Sequence, residues 1–297
     1  MTSDRIALVT CDQFPDGTPD DRLLYDALAA RGAEPEFVAW SDPEADWGAY
    51  GAVVIRSTWD YFHRPTEFRA WLDAVEGRAH LLNDVPTVRW NMDKHYLADL
   101  AARGVAVVPT VFVRRGSDQT LVQIAAARGW DEVVAKPTIS GSALGAKRVR
   151  PDAEGEAHLR ALTAERDAMV QPYLAAVEDE RERSLIFLDG AFSHAYRKAP
   201  FNAGSVTGTG VELIHEATEE ELAFARRVIA AAGRDLAYAR VDMVPSADGP
   251  LLMELEVIEP SLQFGFEPFS AQIFAGALLA RAAAYEQPVS VPASLRS

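Results

Sequence analysis

The chain has 297 residues, 48% of them apolar, a net charge of −15 at neutral pH and a single cysteine. That length supports one large or two to three small domains, the charge argues against general binding to nucleic acid or to anionic membranes, and one thiol excludes an internal disulfide framework and a cysteine-built zinc site. No apolar run approaches the roughly 20 residues of a membrane span and the N-terminal stretch lacks the pattern of a signal peptide, so a soluble cytoplasmic protein is expected.

In chain order, 6–10 reads as a short apolar strand. A helix follows over 20–31, with Leu23, Leu24, Ala27 and Leu28 on one face and Gly32 as its stop. Strands over 36–40 and 52–56 and a helix over 66–76, with Phe68, Trp71, Leu72 and Val75 at helical spacing, complete a first unit at 1–88. The alternation predicts an α/β unit with a small, mostly parallel sheet covered by helices. A second unit, 89–172, opens with a helix from Asn91 to Arg103. It continues with strand 107–113, helix 117–128, strand 132–137, a loop of small residues, strand 146–150, helix 152–166 and strand 168–173. A third unit, 173–297, holds strands 184–188 and 192–198 around the hairpin signal Asp189-Gly190. After these come helix 218–232, strand 237–245, a turn at Asp248-Gly249, strand 251–258 and helix 268–285.

The last strand carries the sharpest chemical signal. Glu254 and Glu256 stand among the apolar Leu252, Met253, Leu255 and Val257, and residues i and i+2 of a strand share a face. Two carboxylates side by side stay ionised only with positive charge between them. The preceding strand bears Arg240 and Asp242, and the Asp248-Gly249 turn folds it back, so Asp242 is expected beside the two glutamates. Three carboxylates without His or Cys make a hard oxygen site suited to Mg²⁺ or Mn²⁺; a solvated acidic edge strand is the alternative. Lysine usage adds to this. The chain has only four lysines against twenty-five arginines, so Lys94, Lys136 and Lys198, and less so Lys147, read as positions where a compact point charge suits phosphate oxygens better than a planar fork. Lys136 is followed by a loop containing Ser140, Gly141, Ser142 and Gly145, small enough for backbone N–H groups to approach a phosphate. It is not a Walker A loop. Further on, a strand ends in Gln171-Pro172-Tyr173-Leu174, with Glu178 four residues later.

In this order the parts resemble the ATP-grasp superfamily of carboxylate–amine ligases, over about residues 90 to 285. The resemblance implies an ATP-grasp fold preceded by a Rossmann-like domain, with ATP and Mg²⁺ as cofactors. By it, Lys94, Lys136 and Lys198 would contact ATP phosphates and the loop at Gly141 and Ser142 would close over them. Tyr173 and Leu174 would hold adenine through backbone groups with Gln171 beside them, and Glu178 would hold the ribose. Asp242, Glu254 and Glu256 would bind two Mg²⁺, and Arg240 would stabilise the transferring phosphoryl group and the tetrahedral intermediate. One departure is that Glu256 stands where many members have Asn, which changes charge more than role. A homodimer is also an expectation from the resemblance.

The substrate, an amino-acid-like small molecule, is expected between the first unit and the nucleotide module, at the carboxyl ends of strands. There Arg56 would clamp a carboxylate and Asp60 an amine, with Ser57, Tyr61 and the later Ser261 nearby; a plain strand end with packed aromatics is the alternative reading. The phrases VVIRSTWDY, NMDKHYL and MELEVIEPSL resemble a group of ATP-grasp proteins that includes the ligase closing O-ureido-D-serine to D-cycloserine in antibiotic biosynthesis, which implies intramolecular ligation. Residues 201–211, FNAGSVTGTGV, depart from the charged segment expected of the wider group. An intermolecular ligase, a small-molecule kinase and a non-catalytic nucleotide-binding regulator remain open. Their products discriminate them: a C–N bond with phosphate, a phosphoester, or neither.

Overall fold

The structure is a computed structural model and describes residues 4–141, 143–198 and 212–285. Ser142 and the segment 201–211 therefore lie outside the described residues. Strands β1 (Arg5–Thr10), β2 (Glu34–Ala39), β3 (Ala52–Ser57) and β4 (Leu81–Leu82), with helices α1 (Pro19–Ala29) and α2 (Pro65–Val75), form a parallel sheet ordered β2-β1-β3-β4. Every residue of β3 is buried, as a strand covered on both faces requires. α1 starts at a reciprocal cap: the Asp21 amide donates to the Thr18 hydroxyl, and the Thr18 amide donates to the Asp21 carboxylate.

The single helix expected over 91–103 is two helices, α3 (Val85–Asn91) and α4 (Tyr96–Ala102). Asp84 accepts from the Thr87 amide and starts the first one six residues early. Asp93 accepts from the His95 amide and interrupts the pair. Lys94 thus stands in a turn, where its amide donates to the Thr138 carbonyl at 2.9 Å.

Next, β5 (Val111–Val113), α5 (Leu121–Arg128), β6 (Val133–Pro137), β7 (Lys147–Val149), α6 (Ala153–Glu165) and β8 (Ala168–Pro172) build an antiparallel sheet ordered β5-β8-β6-β7. The strand expected over 107–113 is divided. Residues 106–108 run instead along the C-terminal sheet, with the Val108 amide on the Leu252 carbonyl and the Leu252 amide on the Ala106 carbonyl. The divide falls at Pro109, which has no N–H to give to a ladder.

After α7 (Ala176–Asp179) come β9 (Arg183–Leu188), β10 (Ala191–Arg197), β11 (Leu213–His215), α8 (Glu219–Ala232), β12 (Tyr238–Val244), β13 (Leu251–Glu256) and α9 (Ser270–Ala284). Their sheet is antiparallel, ordered β11-β10-β9-β12-β13. Asp189 and Gly190 at the β9–β10 turn have φ of 50° and 76°, the left-handed pair a two-residue hairpin needs.

The last helix joins its own sheet to the N-terminal unit. Phe274, Ala275 and Leu278 of α9 share a core with Ile6 and Leu8 of β1, Leu24 and Leu28 of α1, and Tyr238 of β12. A second long-range tie is Asn83, just after β4. Its amide donates to the Tyr238 and Val257 carbonyls at 2.9 and 2.7 Å, and its carbonyl accepts from the Ala237 amide at 2.8 Å. The parallel sheet is thereby fixed against the C-terminal sheet. No helix among the described residues is long and apolar enough to cross a membrane.

Candidate active site

The antiparallel pairing of β12 with β13 places Asp242 opposite Glu254 and Arg240 opposite Glu256. The i, i+2 spacing and the turn between the strands account for this directly: four charged groups fall on one face, in register. Each carboxylate is closed by basic side chains. Asp242, fully buried, accepts from Arg240 Nε at 2.9 Å, Lys198 Nζ at 2.6 Å and the Ser184 hydroxyl at 2.6 Å. Glu254 accepts from Lys136 Nζ at 2.8 Å, with Lys94 Nζ at 3.9 Å. Glu256 accepts from Arg240 Nη2. Among the described residues no three His, Cys, Asp or Glu side chains close on a common point as a ready-made cation cage.

Burial alone would raise these carboxyls, but the cations decide the outcome. Against burial, Arg240 and Lys198 hold Asp242 below its ordinary value, and Lys136 and Lys94 hold Glu254 well below its own. Glu256 goes the other way: burial and the charges of Asp242 and Glu254 outweigh Arg240 and raise it. For Lys198, burial lowers its affinity for a proton, yet Asp242 and Glu182 raise it on balance.

Lys94, Lys136 and Lys198 therefore converge on the acidic strands from three elements. Lys94 also donates to the Ser140 carbonyl at 2.6 Å, anchoring the start of the small-residue loop. Gly141 in that loop is pressed by Phe62 of the N-terminal unit; a Cβ there would lie 2.5 Å from the ring. Lys147 is elsewhere, in an exposed pair with Glu154.

The segment after β8 is arranged differently from expectation in one respect. The Tyr173 amide donates to the Glu132 carbonyl, so it is not free for a purine. Among the described residues the Leu174 amide donates to no protein acceptor. Gln171 is buried and donates to the Thr110 hydroxyl at 2.9 Å. Glu178 is paired with Arg148 at 3.1 Å, and the same guanidinium lies 3.5 Å from the Tyr173 ring centroid and bonds to Glu132.

On the N-terminal side, the loop after β3 reaches the loop after β13. Arg56 is 2% exposed and largely committed: Nε donates to Asp21 at 3.0 Å and Nη2 to the Pro260 carbonyl at 3.2 Å. Only Nη1 lacks a partner, as do the buried hydroxyls of Ser57, Thr58 and Thr10. Asp60 accepts from Trp40 Nε1 at 2.7 Å and lies 3.4 Å from Arg64 Nη1. Its carboxylate is thus engaged rather than open to an amine. Tyr61 is buried and Ser261 half-buried, both at this junction.

Sequence reasoning missed four contributors. Glu182 holds Lys198 at 2.6 Å, Ser184 holds Asp242, and Arg148 holds Tyr173 and Glu178. Asn91 donates to the Leu255 carbonyl and accepts from the Val257 amide, fixing the edge of β13. The signals were faint: Ser184 sits opposite Asp242 in the ladder, but Arg148 and Asn91 act across the fold with no local pattern.

Three comparisons with known proteins bear on this arrangement. A family profile described as the N-terminal domain of D-cycloserine synthetase DcsG matches residues 6–83. The cycloserine biosynthesis protein DcsG of Streptomyces lavendulae is 36% identical over 275 residues, 87% of this chain and 92% of that protein. Among solved structures, the crystal structure of D-cycloserine synthetase DcsG is similar with a TM-score of 0.87 and 35% identity, covering 94% of this chain and 99% of that one. The ATP-grasp ligase PsnB, solved with a minimal precursor, Mg and ADP, is similar at a TM-score of 0.63 with 18% identity, over 94% and 98% of the two chains. At that identity the likeness speaks to the fold.

Proposed function

Because the chain belongs to the DcsG family of ATP-grasp ligases, we propose that it is the cyclo-ligase of a cycloserine pathway, closing O-ureido-D-serine to D-cycloserine with ATP. The observation that carries the reading is the interlocked set of Lys94, Lys136, Lys198 and Arg240 on Asp242, Glu254 and Glu256. Such a set suits the exchange that Mg·ATP demands. A fully ionised triphosphate and two divalent cations carry equal and opposite charge. The lysines can therefore turn to phosphates while the carboxylates, a hard oxygen donor set, turn to metal, and the buried charge stays balanced. Bound there, Mg²⁺ would neutralise the phosphates and align them for transfer.

The protein's part is orientation and charge. Lys94, Lys136 and Lys198 hold the phosphates, and Arg240 faces the charge that develops during transfer. The free Leu174 amide and the Gln171 side chain suit the adenine, with Glu178, released by Arg148, on the ribose. The substrate carboxylate takes the γ-phosphoryl group and becomes an acyl phosphate. Its own oxyamine nitrogen then attacks the acyl carbon and expels phosphate. The ureido carbonyl leaves, with a water, as CO₂ and ammonia. Holding both ends of one molecule in reach raises the effective concentration of the nucleophile. The tests are ADP and phosphate release with Mg·ATP across O-ureido-D-serine, its L-isomer, D-alanine and D-serine, with mass spectrometry of products. Turnover of O-ureido-D-serine to a product of cycloserine mass is expected. ADP release only when two separate substrates are supplied would make the protein an intermolecular ligase.

A further inference from the structure

Buried polar side-chain atoms without a partner gather at one place in the fold. Arg56 Nη1 and the hydroxyls of Thr10, Ser57 and Thr58 are all of this kind, on residues no more than 2% exposed. Nowhere else among the described residues do such atoms fall on three consecutive positions. Folded proteins leave few buried groups unpaired, since each costs about 1–3 kcal/mol. A set of four calls for a ligand or for water.

The four residues stand at the carboxyl ends of β1 and β3, neighbours in the parallel sheet, where ligands of such sheets bind. The register slips between Val9 and Thr10, so that Thr10 pairs with Ser57 and Arg56 is the inserted residue, a bulge that re-aims side chains. Thr10 follows Ile6 and Leu8 at alternate positions and continues the face they turn to α1 and Tyr238. Arg56 is on the same side, since its guanidinium meets Asp21 of α1 and the Pro260 carbonyl. The Tyr238 hydroxyl in turn donates to the Ile55 carbonyl at 3.1 Å. Along one face of β12 the order is Tyr238, Arg240, Asp242, so Arg240 stands between this set and the place where the phosphates are expected.

Charge decides what the set can hold. Arg56 lies 3.0 Å from Asp21 and 3.9 Å from Asp20. One cation against two carboxylates leaves no positive charge for a third, so the carboxylate clamp expected of Arg56 does not fit. A neutral group does. Nη1 only donates, while each hydroxyl both donates and accepts. A ureido group is planar and uncharged, with a carbonyl oxygen that accepts and N–H groups that donate.

Resting on the function proposed above, we infer that Arg56 Nη1 and the hydroxyls of Thr10, Ser57 and Thr58 receive the ureido group of the substrate and so select it. The ureido carbonyl accepts from Nη1, and the terminal amide donates to the hydroxyls. Held at that end, the substrate keeps its oxyamine nitrogen free and turns its carboxyl towards Arg240, the two ends that ring closure joins. A molecule without the ureido group leaves these donors buried and unpaired.

The test uses the full chain. Calorimetric titrations in the presence of Mg·ADP compare O-ureido-D-serine with O-isobutyl-D-serine, in which an apolar group of the same shape replaces the ureido group. Wild type is expected to bind the ureido compound at least about 100-fold more tightly. Thr10→Val, Thr58→Val and Ser57→Ala should each weaken that binding roughly 3- to 10-fold, the contribution of one hydrogen bond, and leave the isobutyl compound bound as before or more tightly. Thermal melts without ligand should show no loss for the two valine variants, because in the empty protein these hydroxyls have no partner to lose. Three results would overturn the inference: no binding of O-ureido-D-serine, equal weakening of both compounds, or variants that melt lower yet keep the full preference for the ureido compound, as hydroxyls serving a structural water would. A ureido preference that the variants lose, without turnover of O-ureido-D-serine by wild type, would count against the proposed reaction alone.

Discussion

His194 is 6% exposed and lies on β10, in the same sheet as the acidic strands. Its Nε2–H donates to the Leu262 carbonyl at 2.9 Å, so Nδ1 is the acceptor for the Ser193 hydroxyl at 2.9 Å. Burial lowers its pKa, with the Leu262 carbonyl opposing. The folded state thus prefers the neutral ring. Its contribution to stability is complete above the ordinary histidine value of 6.5 and is lost as pH falls from there through the lower folded value. His80, stacked on Tyr285, shifts in the same direction for the same leading reason. Thermal melts between pH 7 and pH 5 should show stability falling, at no more than about 1.4 kcal/mol per pH unit for each ring. His194→Gln should flatten its share of that slope; an unchanged slope would assign the effect elsewhere.

The elements that hold the acidic strands are tied from outside them. Asn83 makes three buried hydrogen bonds to residues 154 to 174 positions away, and it does so with φ of 57°, which asparagine tolerates better than alanine. Asn83→Ala leaves the Tyr238 and Val257 carbonyls and the Ala237 amide without partners. A loss of about 3–5 kcal/mol is expected from urea unfolding, since each orphaned buried group costs about 1–3 kcal/mol. A loss below about 1 kcal/mol would mean that water replaces the side chain. The same example shows what was legible in the sequence. Asp242, Glu254 and Glu256 were, because strand periodicity and a short turn fix their register locally. Lys94, Lys136 and Lys198 stood out because arginine fills nearly every other basic position. Asn83 was not, since an asparagine after a strand reads as a turn. Arg56 and Asp60 were placed at a strand end, but their partners come from α1 and the turn after β2, and the sequence does not reveal that Asp21 and Trp40 engage them. The split of the helix expected over 91–103 turned on two aspartate caps, each as local as any signal used, yet outweighed by the apolar spacing that ran past them.

At the scale of the molecule, the N-terminal unit touches the small-residue loop after β6 through Phe62 on Gly141, with Ile139 and Leu144 packed against the same core. Gly141→Ala should force this contact apart and raise KM for ATP roughly ten-fold, and Phe62→Ala in the same chain should recover most of the loss, as coupled neighbours do. If the loss is the same with or without the Phe62 ring, that contact is not its cause. The other tie between the units has a different kind of consequence. The face of the parallel sheet that carries Ile6 and Leu8 is closed by α9, some two hundred residues later. On a ribosome adding roughly 5–20 residues per second, that face waits about 10–40 seconds after β4 is made with only α1 over it, before its cover is complete. During synthesis the nascent chain must carry an exposed apolar surface that the finished protein never shows. A chaperone that binds such surfaces would meet this chain early, and let it go only when its last helix arrives.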